Sequence, residues 1–228
     1  MLSASRDAQV AVGAAEALEK EFGARRSRLF ADLKAWLRAR RDLAEEKLAH
    51  SQLECALEEL AKAKESLAKL DLKRAGIEDL LKSASKTYRR GRHAMKAALA
   101  ASEDDEALHT WRKQVQRHWR HTLLFAQAWP KEARARTKLA RKLSNDLGQH
   151  HDLAVLREMI LANRAAFRSA RDVRTLCACI KAQQAELVSE AASRGECLYA
   201  EKPKAFLKRL RISWQNAKQK HAGKAVAA

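Results

Sequence analysis

The chain contains very few residues that end a helix. Its 228 residues include seven glycines and two prolines, whereas Ala, Leu, Glu, Lys and Arg are abundant. A β-protein needs frequent turns built from Gly, Pro, Asn or Asp, while the abundant residues here have high helix propensities. We therefore predict an all-α fold, and the chain is long enough to bury a sizeable core.

Apolar residues at intervals of three and four indicate eight helices. The predicted helices cover residues 1–23, 24–48, 50–70, 77–101, 103–129, 131–161, 169–193 and 203–219. Ser102 is predicted to cap the fifth helix because four acidic residues follow it, and Trp129 and Pro130 to close it. Pro203 stands where a first-turn proline belongs.

The fifth helix contains the most informative stretch, ALHTWRKQVQRHWR at 107–120. At about 100° per residue, its polar residues gather within roughly 80° of His109; they are Arg112, Lys113, Gln116, Arg117 and Arg120. Trp111, Val115 and Trp119 fall on the other side, which predicts that both tryptophans belong to the core. Crowded cations cost free energy unless an anion offsets them, so the polar face is predicted to bind an anion.

The net charge of the chain points to the same kind of partner. It is +18, with a pI near 10.1, and residues 82–142 hold 16 of the Lys and Arg against 5 Asp and Glu. No acidic residue lies between Glu106 and Glu132 to neutralise the fifth helix. A basic surface of this kind is typical of proteins that bind polyanions.

Two further groups of cations extend the candidate surface. Those of the fourth helix are predicted not to share one face, so about half of them are expected to contact a ligand, the rest being solvated charge. Those of the sixth helix keep helical spacing and are predicted to lie on the same groove. The full set of predicted binding residues is His109, Arg112, Lys113, Arg117, Arg120, Lys82, Lys86, Arg89, Arg90, Arg92, Arg134, Lys138 and Arg141.

Cellular location is predicted from the cysteines and from the apolar runs. Cys55, Cys177, Cys179 and Cys197 form no CxxC motif and are expected to be reduced thiols. No apolar run approaches the roughly 18 to 20 residues of a spanning helix, and no secretory signal follows Met1. We expect a cytoplasmic protein that does not insert into a membrane.

An enzyme is the less favoured interpretation. His151 and Asp152 could ligate a metal in a phosphohydrolase, but few further carboxylates surround them. No glycine-rich phosphate loop and no nucleophile motif is present. We therefore predict a binding protein with no catalytic residue, no metal and no cofactor.

Non-specific binding of nucleic acid is the main alternative. Single-stranded nucleic acid is normally bound by aromatic residues interleaved with basic ones, because the bases stack on them. Here the tryptophans point away from the basic face. Double-stranded nucleic acid stays open as a ligand, since phosphate contacts dominate its binding too.

Four motifs resemble one known family. LHTWRK at 108–113, LGQHHDLAVL at 147–156, YRRGRHAM at 88–95 and LYAEKPKAFLKRL at 198–210 are similar to sequences of the CHAD domain, the conserved histidine α-helical domain. The resemblance implies two pseudo-symmetric helical bundles around a basic groove or pore. It also implies binding of inorganic polyphosphate by Lys, Arg and a His, often at polyphosphate granules.

The resemblance sets the predicted domain organisation. Residues 1–222 are interpreted as one CHAD-like domain, with 1–75 an incomplete first half, 76–222 the second half and 223–228 a frayed tail. Residues 5–10 resemble residues 150–155, yet the basic helix that the family places before the first of these is missing. A misassigned start, a natural short form and an oligomer whose partner supplies the helix all stay open.

Overall fold

The computed structural model describes the backbone of residues 2–46, 50–69 and 76–226, with the side chains of 6–46, 54–69 and 76–220. Within these residues the chain is all-α, as predicted, and no strand occurs. The helices are α1 (Leu2–Phe22), α2 (Ser27–Glu46), α3 (His50–Ala68), α4 (Ile77–Ala100), α5 (Asp105–Leu124), α6 (Pro130–Ala162), α7 (Ala170–Leu198) and α8 (Pro203–Val226). The predicted break at 71–76 lies, except for Gly76, outside the described residues.

The ends of α5 differ from the prediction. Its cap is Asp104, whose carboxylate accepts hydrogen bonds from the backbone N–H groups of Glu106 and Ala107 at 2.9 and 3.2 Å. The predicted cap at Ser102 is therefore wrong, because Asp104 stands directly before the first turn and satisfies two of its free donors. The helix also ends at Leu124 instead of 129, and residues 125–129 form turns.

The chain divides into two compact units. Unit 1 comprises the described residues of 1–72 and 152–185, and unit 2 those of 73–151 and 186–228. Residues 152–185 thus group with the N-terminal helices, whereas the family resemblance places them in the second half. A compact unit and a sequence repeat are different divisions of a chain, so the two predicted halves stay a prediction.

Unit 1 is built on the pairing of α1 with α2. The buried apolar residues of these two helices are Ala8, Ala11, Val12, Ala15, Leu18, Phe30, Leu33 and Leu37. The rings of Trp36 and Phe167 lie 5.4 Å apart, and Arg168 forms an ion pair with Asp32 at 3.0 Å. The leucines of α3 that the structure describes, at 57, 60 and 67, are exposed.

Unit 2 contains the aromatic core that supports the basic helices. Tyr88 of α4 stacks on Phe206 of α8, with ring centroids 4.3 Å apart and planes 7° apart. Gly195 of α7 lies against Trp111 of α5, where a Cβ would come within 2.6 Å of the indole ring. Glycine is therefore required there for the two helices to approach closely.

His118 lies inside this aromatic core and is 1% exposed. Its ring centroid is 5.4 Å from that of Tyr88, 5.9 Å from that of Tyr199 and 5.7 Å from that of Phe206. Neither ring nitrogen has a hydrogen-bond partner among the described residues. Burial lowers the pKa of His118 to about 3, so the imidazole is neutral in the folded protein.

Arg136 of α6 is the buried cation of unit 2. It is 8% exposed, donates a hydrogen bond of 3.2 Å to the carbonyl of Leu198, and forms an ion pair with Glu201. Its guanidinium also lies 5.5 Å from the ring centroid of Trp129 and 5.1 Å from that of Phe206. This arginine thus joins α6 to the connection between α7 and α8.

Candidate anion-binding surface

Helices α5 and α6 pack side by side in opposite directions. The rings of His109 and His151 stack with centroids 4.5 Å apart, and the Gln116 amide donates a hydrogen bond of 3.4 Å to the Ser144 hydroxyl. Residue numbers rise along α5 as they fall along α6, which gives the antiparallel direction. The polar face predicted for α5 therefore lies along its seam with α6.

Arg112 lies at the middle of this seam. A Cβ at Gly148 would lie 3.2 Å from Nε of Arg112, so the absence of a side chain lets the guanidinium lie against the backbone of α6. Arg112 is half-buried in consequence. The motif LGQHHDLAVL thus contacts the α5 surface through Gly148 and His151.

The remaining cations of α5 face solvent, as the sequence predicts. Lys113, Arg117 and Arg120 are exposed, and none of them forms an ion pair with a carboxylate in the part of the chain that the structure describes. Trp111 is fully buried and Trp119 is half-buried against the core. The prediction that the tryptophans point away from the cations is confirmed.

The cations of α6 line an open pocket of about 750 Å³. Arg134, Lys138 and Arg141, which the sequence analysis placed on one groove, share this pocket with Lys142, which it missed. Leu123 and Ala126, at and just beyond the end of α5, form part of its wall. Spacing of three and four along α6 brings these side chains together, and the same rule applied from Lys138 to Lys142 would have found the fourth.

The cations of α4 have two kinds of environment. Lys82, Lys86, Arg89 and Arg90 are all exposed. Arg92 is half-buried and donates a hydrogen bond of 3.2 Å to the carbonyl of Glu201, which ties it to the start of α8. No hydrogen bond or ion pair among the described residues joins these five to the α5–α6 seam, so their role as binding residues stays a prediction.

The electrostatics of the seam centre on His109. Burial, then the nearby His151 and Lys113, lower the pKa of His109 below its ordinary value of 6.5. Glu106 opposes this shift and Arg112 adds to it. His109 is therefore mostly neutral at neutral pH, and its stacking partner is His151, which the sequence suggested as a metal ligand.

We expect anion binding at this surface to strengthen as the pH falls. A bound polyanion favours the protonated imidazole, so the pKa of His109 is higher in the complex than in the free protein, and binding takes up a proton. The gain in affinity begins as the pH falls through the pKa of the complex and levels off below that of the free protein, which lies under 6.5. Titration of wild type and His109→Gln with polyphosphate from pH 8 to pH 5.5 measures the effect.

The control for this experiment is His93→Gln, since His93 is an exposed histidine of α4. His109→Gln should lose much of the pH slope and keep the salt dependence, while His93→Gln keeps both. A full pH slope in His109→Gln would show that His109 is a neutral packing residue.

The described residues hold neither a cluster of metal ligands nor a membrane-spanning helix. No group of three or more His, Cys, Asp or Glu side chains is placed there to hold a metal ion. His150 is occupied instead, with Nδ1 3.8 Å from the carboxylate of Asp105. No helix in the same part of the chain is long and apolar enough to cross a membrane.

These features define an all-α protein with a cationic surface built along two antiparallel helices. The model of the CHAD domain family matches residues 1–161, and the chain belongs to this family. The match ends one residue before the end of α6 and so includes the seam and the pocket. No curated protein and no solved structure matches the chain.

Proposed function

We propose that the chain binds inorganic polyphosphate along the α5–α6 seam and its adjoining pocket. The observation behind the proposal is a run of exposed cations without carboxylate partners among the described residues, Lys113, Arg117 and Arg120 on α5 and Arg134 and Arg141 on α6. Membership of the CHAD family suggests association with polyphosphate. The charge pattern supplies the physical reason.

Unpaired cations on one surface repel one another, and a linear polyanion relieves this repulsion. Each phosphate that a Lys or Arg contacts releases condensed counterions, which makes binding favourable and strongly dependent on salt. Guanidinium groups such as that of Arg117 match phosphate oxygens in geometry and donate two hydrogen bonds at once. The half-buried amide of Gln116 and imidazole of His109 add further hydrogen-bond donors along the same seam.

The position of the aromatic residues favours polyphosphate over single-stranded nucleic acid. Trp111 is buried in the core, and the residues that line the pocket include no aromatic side chain. The successive bases of a single strand would therefore find no aromatic side chains to stack on along these cations, whereas polyphosphate has no bases to stack. Charge alone is sufficient for polyphosphate.

The proposal is one of binding without catalysis. His151, which with Asp152 suggested an enzyme, stacks on His109, and its neighbour His150 lies near Asp105. Both histidines thus lie against α5. We propose that the bound polymer brings the protein to polyphosphate granules in the cytoplasm.

A competition experiment tests the proposal directly. We expect long-chain polyphosphate to displace a fluorescent single-stranded DNA or RNA from the protein at equal phosphate concentration and equal salt, because the nucleic acid gains nothing from stacking. Fluorescence anisotropy measures the displacement. Double-stranded DNA serves as a second competitor, since it also presents phosphates without exposed bases.

If single-stranded RNA binds more tightly than polyphosphate at equal salt, the proposed ligand is wrong and nucleic acid replaces it. If double-stranded DNA displaces the labelled nucleic acid as effectively as polyphosphate does, the surface recognises charge density alone.

A further inference from the structure

The pocket at the start of α6 differs in composition from the rest of the cationic surface. Four cations, Arg134, Lys138, Arg141 and Lys142, surround it, and no carboxylate lines it. Its wall, however, is made largely of small and apolar groups, namely Leu123, Ala126, Pro130 and Ala133. A purely inorganic anion gains no binding energy from contact with apolar side chains such as these.

The size of the pocket suits a small organic molecule. Its volume is about 750 Å³, within the range of roughly 300 to 1,000 Å³ that small-molecule sites occupy. Such sites combine apolar walls with a few polar groups that fix the orientation of the ligand. The ligand that matches this pocket carries several negative charges at one end and a largely apolar organic group at the other.

Two polar side chains in the pocket indicate the chemistry of the uncharged end of the ligand. The Thr137 hydroxyl and the Asn145 amide both line it, and neither forms a hydrogen bond within the described residues. An amide donates and accepts at once, which suits the edge of a base or the hydroxyls of a sugar. The hydrocarbon chain of a lipid phosphate, by contrast, would make no hydrogen bond with either group.

We propose that this pocket binds a nucleoside polyphosphate, with the phosphates on the four cations and the base against Leu123, Ala126 and Ala133. The inference rests on the proposed function to the extent that the same cations are taken to bind phosphate. It differs from that function in assigning the apolar wall to an organic group. A nucleoside polyphosphate then competes with the end of a polyphosphate chain for one part of the surface.

The test compares ligands that share their phosphates and differ in the base. Isothermal titration of the full chain with ATP, tripolyphosphate and adenosine in the presence of EDTA separates the two ends of the ligand without divalent ions. We expect ATP to bind about tenfold or more tightly than tripolyphosphate, because burial of the base adds apolar contact, and adenosine to bind far more weakly than either.

Filling the wall without removing a cation tests the position of the base. Ala126→Leu fills the wall without adding an aromatic ring on which the base could stack. It should weaken ATP binding about tenfold while leaving the affinity for tripolyphosphate and for long-chain polyphosphate within about twofold. The matched control is Ala135→Leu, since Ala135 is exposed on α6 and does not line the pocket. It should change none of the three affinities, and circular dichroism shows that both variants fold.

The outcomes separate this inference from the proposed function. Equal affinity of the wild type for ATP and tripolyphosphate would overturn the inference, whatever Ala126→Leu does, and would leave polyphosphate binding standing. The inference is overturned in the same way if Ala126→Leu weakens ATP and long-chain polyphosphate equally. Tight ATP binding by a protein that fails to bind long-chain polyphosphate would uphold the inference and reject the proposed function.

Discussion

Replacing Arg136 with methionine should lower the free energy of unfolding by about 3 kcal/mol. Methionine keeps most of the volume of the side chain, so the loss comes from the charge and its hydrogen bonds. Removing one partner of a buried ion pair typically costs roughly 3–5 kcal/mol, and here Arg209 still pairs with Glu201. The carbonyl of Leu198, which accepts from Arg136 at 3.2 Å, loses that donor.

The matched control is Arg134→Met, two residues earlier on α6. Arg134 is exposed and lines the pocket, so its replacement should change the free energy of unfolding by less than about 0.5 kcal/mol. Urea denaturation followed by tryptophan fluorescence measures both variants. Equal stability of the two would show that Arg136 contributes no more than a surface charge, and that the other contacts hold the connection between α7 and α8 without it.

Reversing the charges of Lys113 and Arg117 together should weaken polyphosphate binding about a hundredfold at low salt. Both side chains are exposed on α5 without a carboxylate partner in the described residues, so both are available to phosphate. A hundredfold loss corresponds to about 2.7 kcal/mol of binding free energy. The slope of log Kd against log salt concentration should also fall, by about two or more, because two phosphate contacts are lost.

The control reverses Lys62 and Lys64 on α3 and so changes the net charge by the same amount. Lys62 already pairs with Glu59 at 2.9 Å, and acidic residues surround this part of the chain. Its effect should stay within about threefold and should leave the salt slope unchanged. Equal losses from the two pairs would indicate a diffuse effect of net charge, with no defined surface on α5.

The sequence predicts the two faces of α5 correctly because both are properties of one helix. Angles around a helix depend only on residue spacing, and Trp111 and Lys113 point in the predicted directions. The same rule places Arg134, Lys138 and Arg141 together at the pocket. Number and order of the helices follow equally from the spacing of apolar residues and the scarcity of glycine and proline.

Contacts between helices could not be predicted in this way. Two examples are the stacking of His109 on His151 and the contact of Arg112 with Gly148. Both depend on the packing of α5 on α6, which no local sequence pattern encodes. The same holds for Arg92. Its charge counts toward the basic run, but its guanidinium donates a hydrogen bond to the carbonyl of Glu201. A count of charges cannot separate cations that hold the fold from cations that face a ligand.

Helix ends were the least predictable local feature. Both Ser102 and Asp104 have the chemistry of a cap, and the choice depends on where the chain leaves α4, which ends at Ala100. The turn at 125–129 likewise reflects the burial of Phe125 in the core of unit 2, a tertiary contact. These small displacements leave the faces of the helices unchanged.

The buried imidazole of His118 makes the stability of the fold sensitive to acid. In the unfolded chain this side chain gains a proton below its ordinary pKa of 6.5, whereas in the folded protein it stays neutral down to about 3. Stability is therefore unaffected above 6.5, declines as the pH falls below it, and levels off only near 3. The affinity for a polyanion at His109 changes in the opposite direction. Mild acid therefore increases this affinity while it lowers the stability of the folded protein. Below pH 6.5, acidification therefore has opposite effects on the stability of the fold and on its affinity for a polyanion.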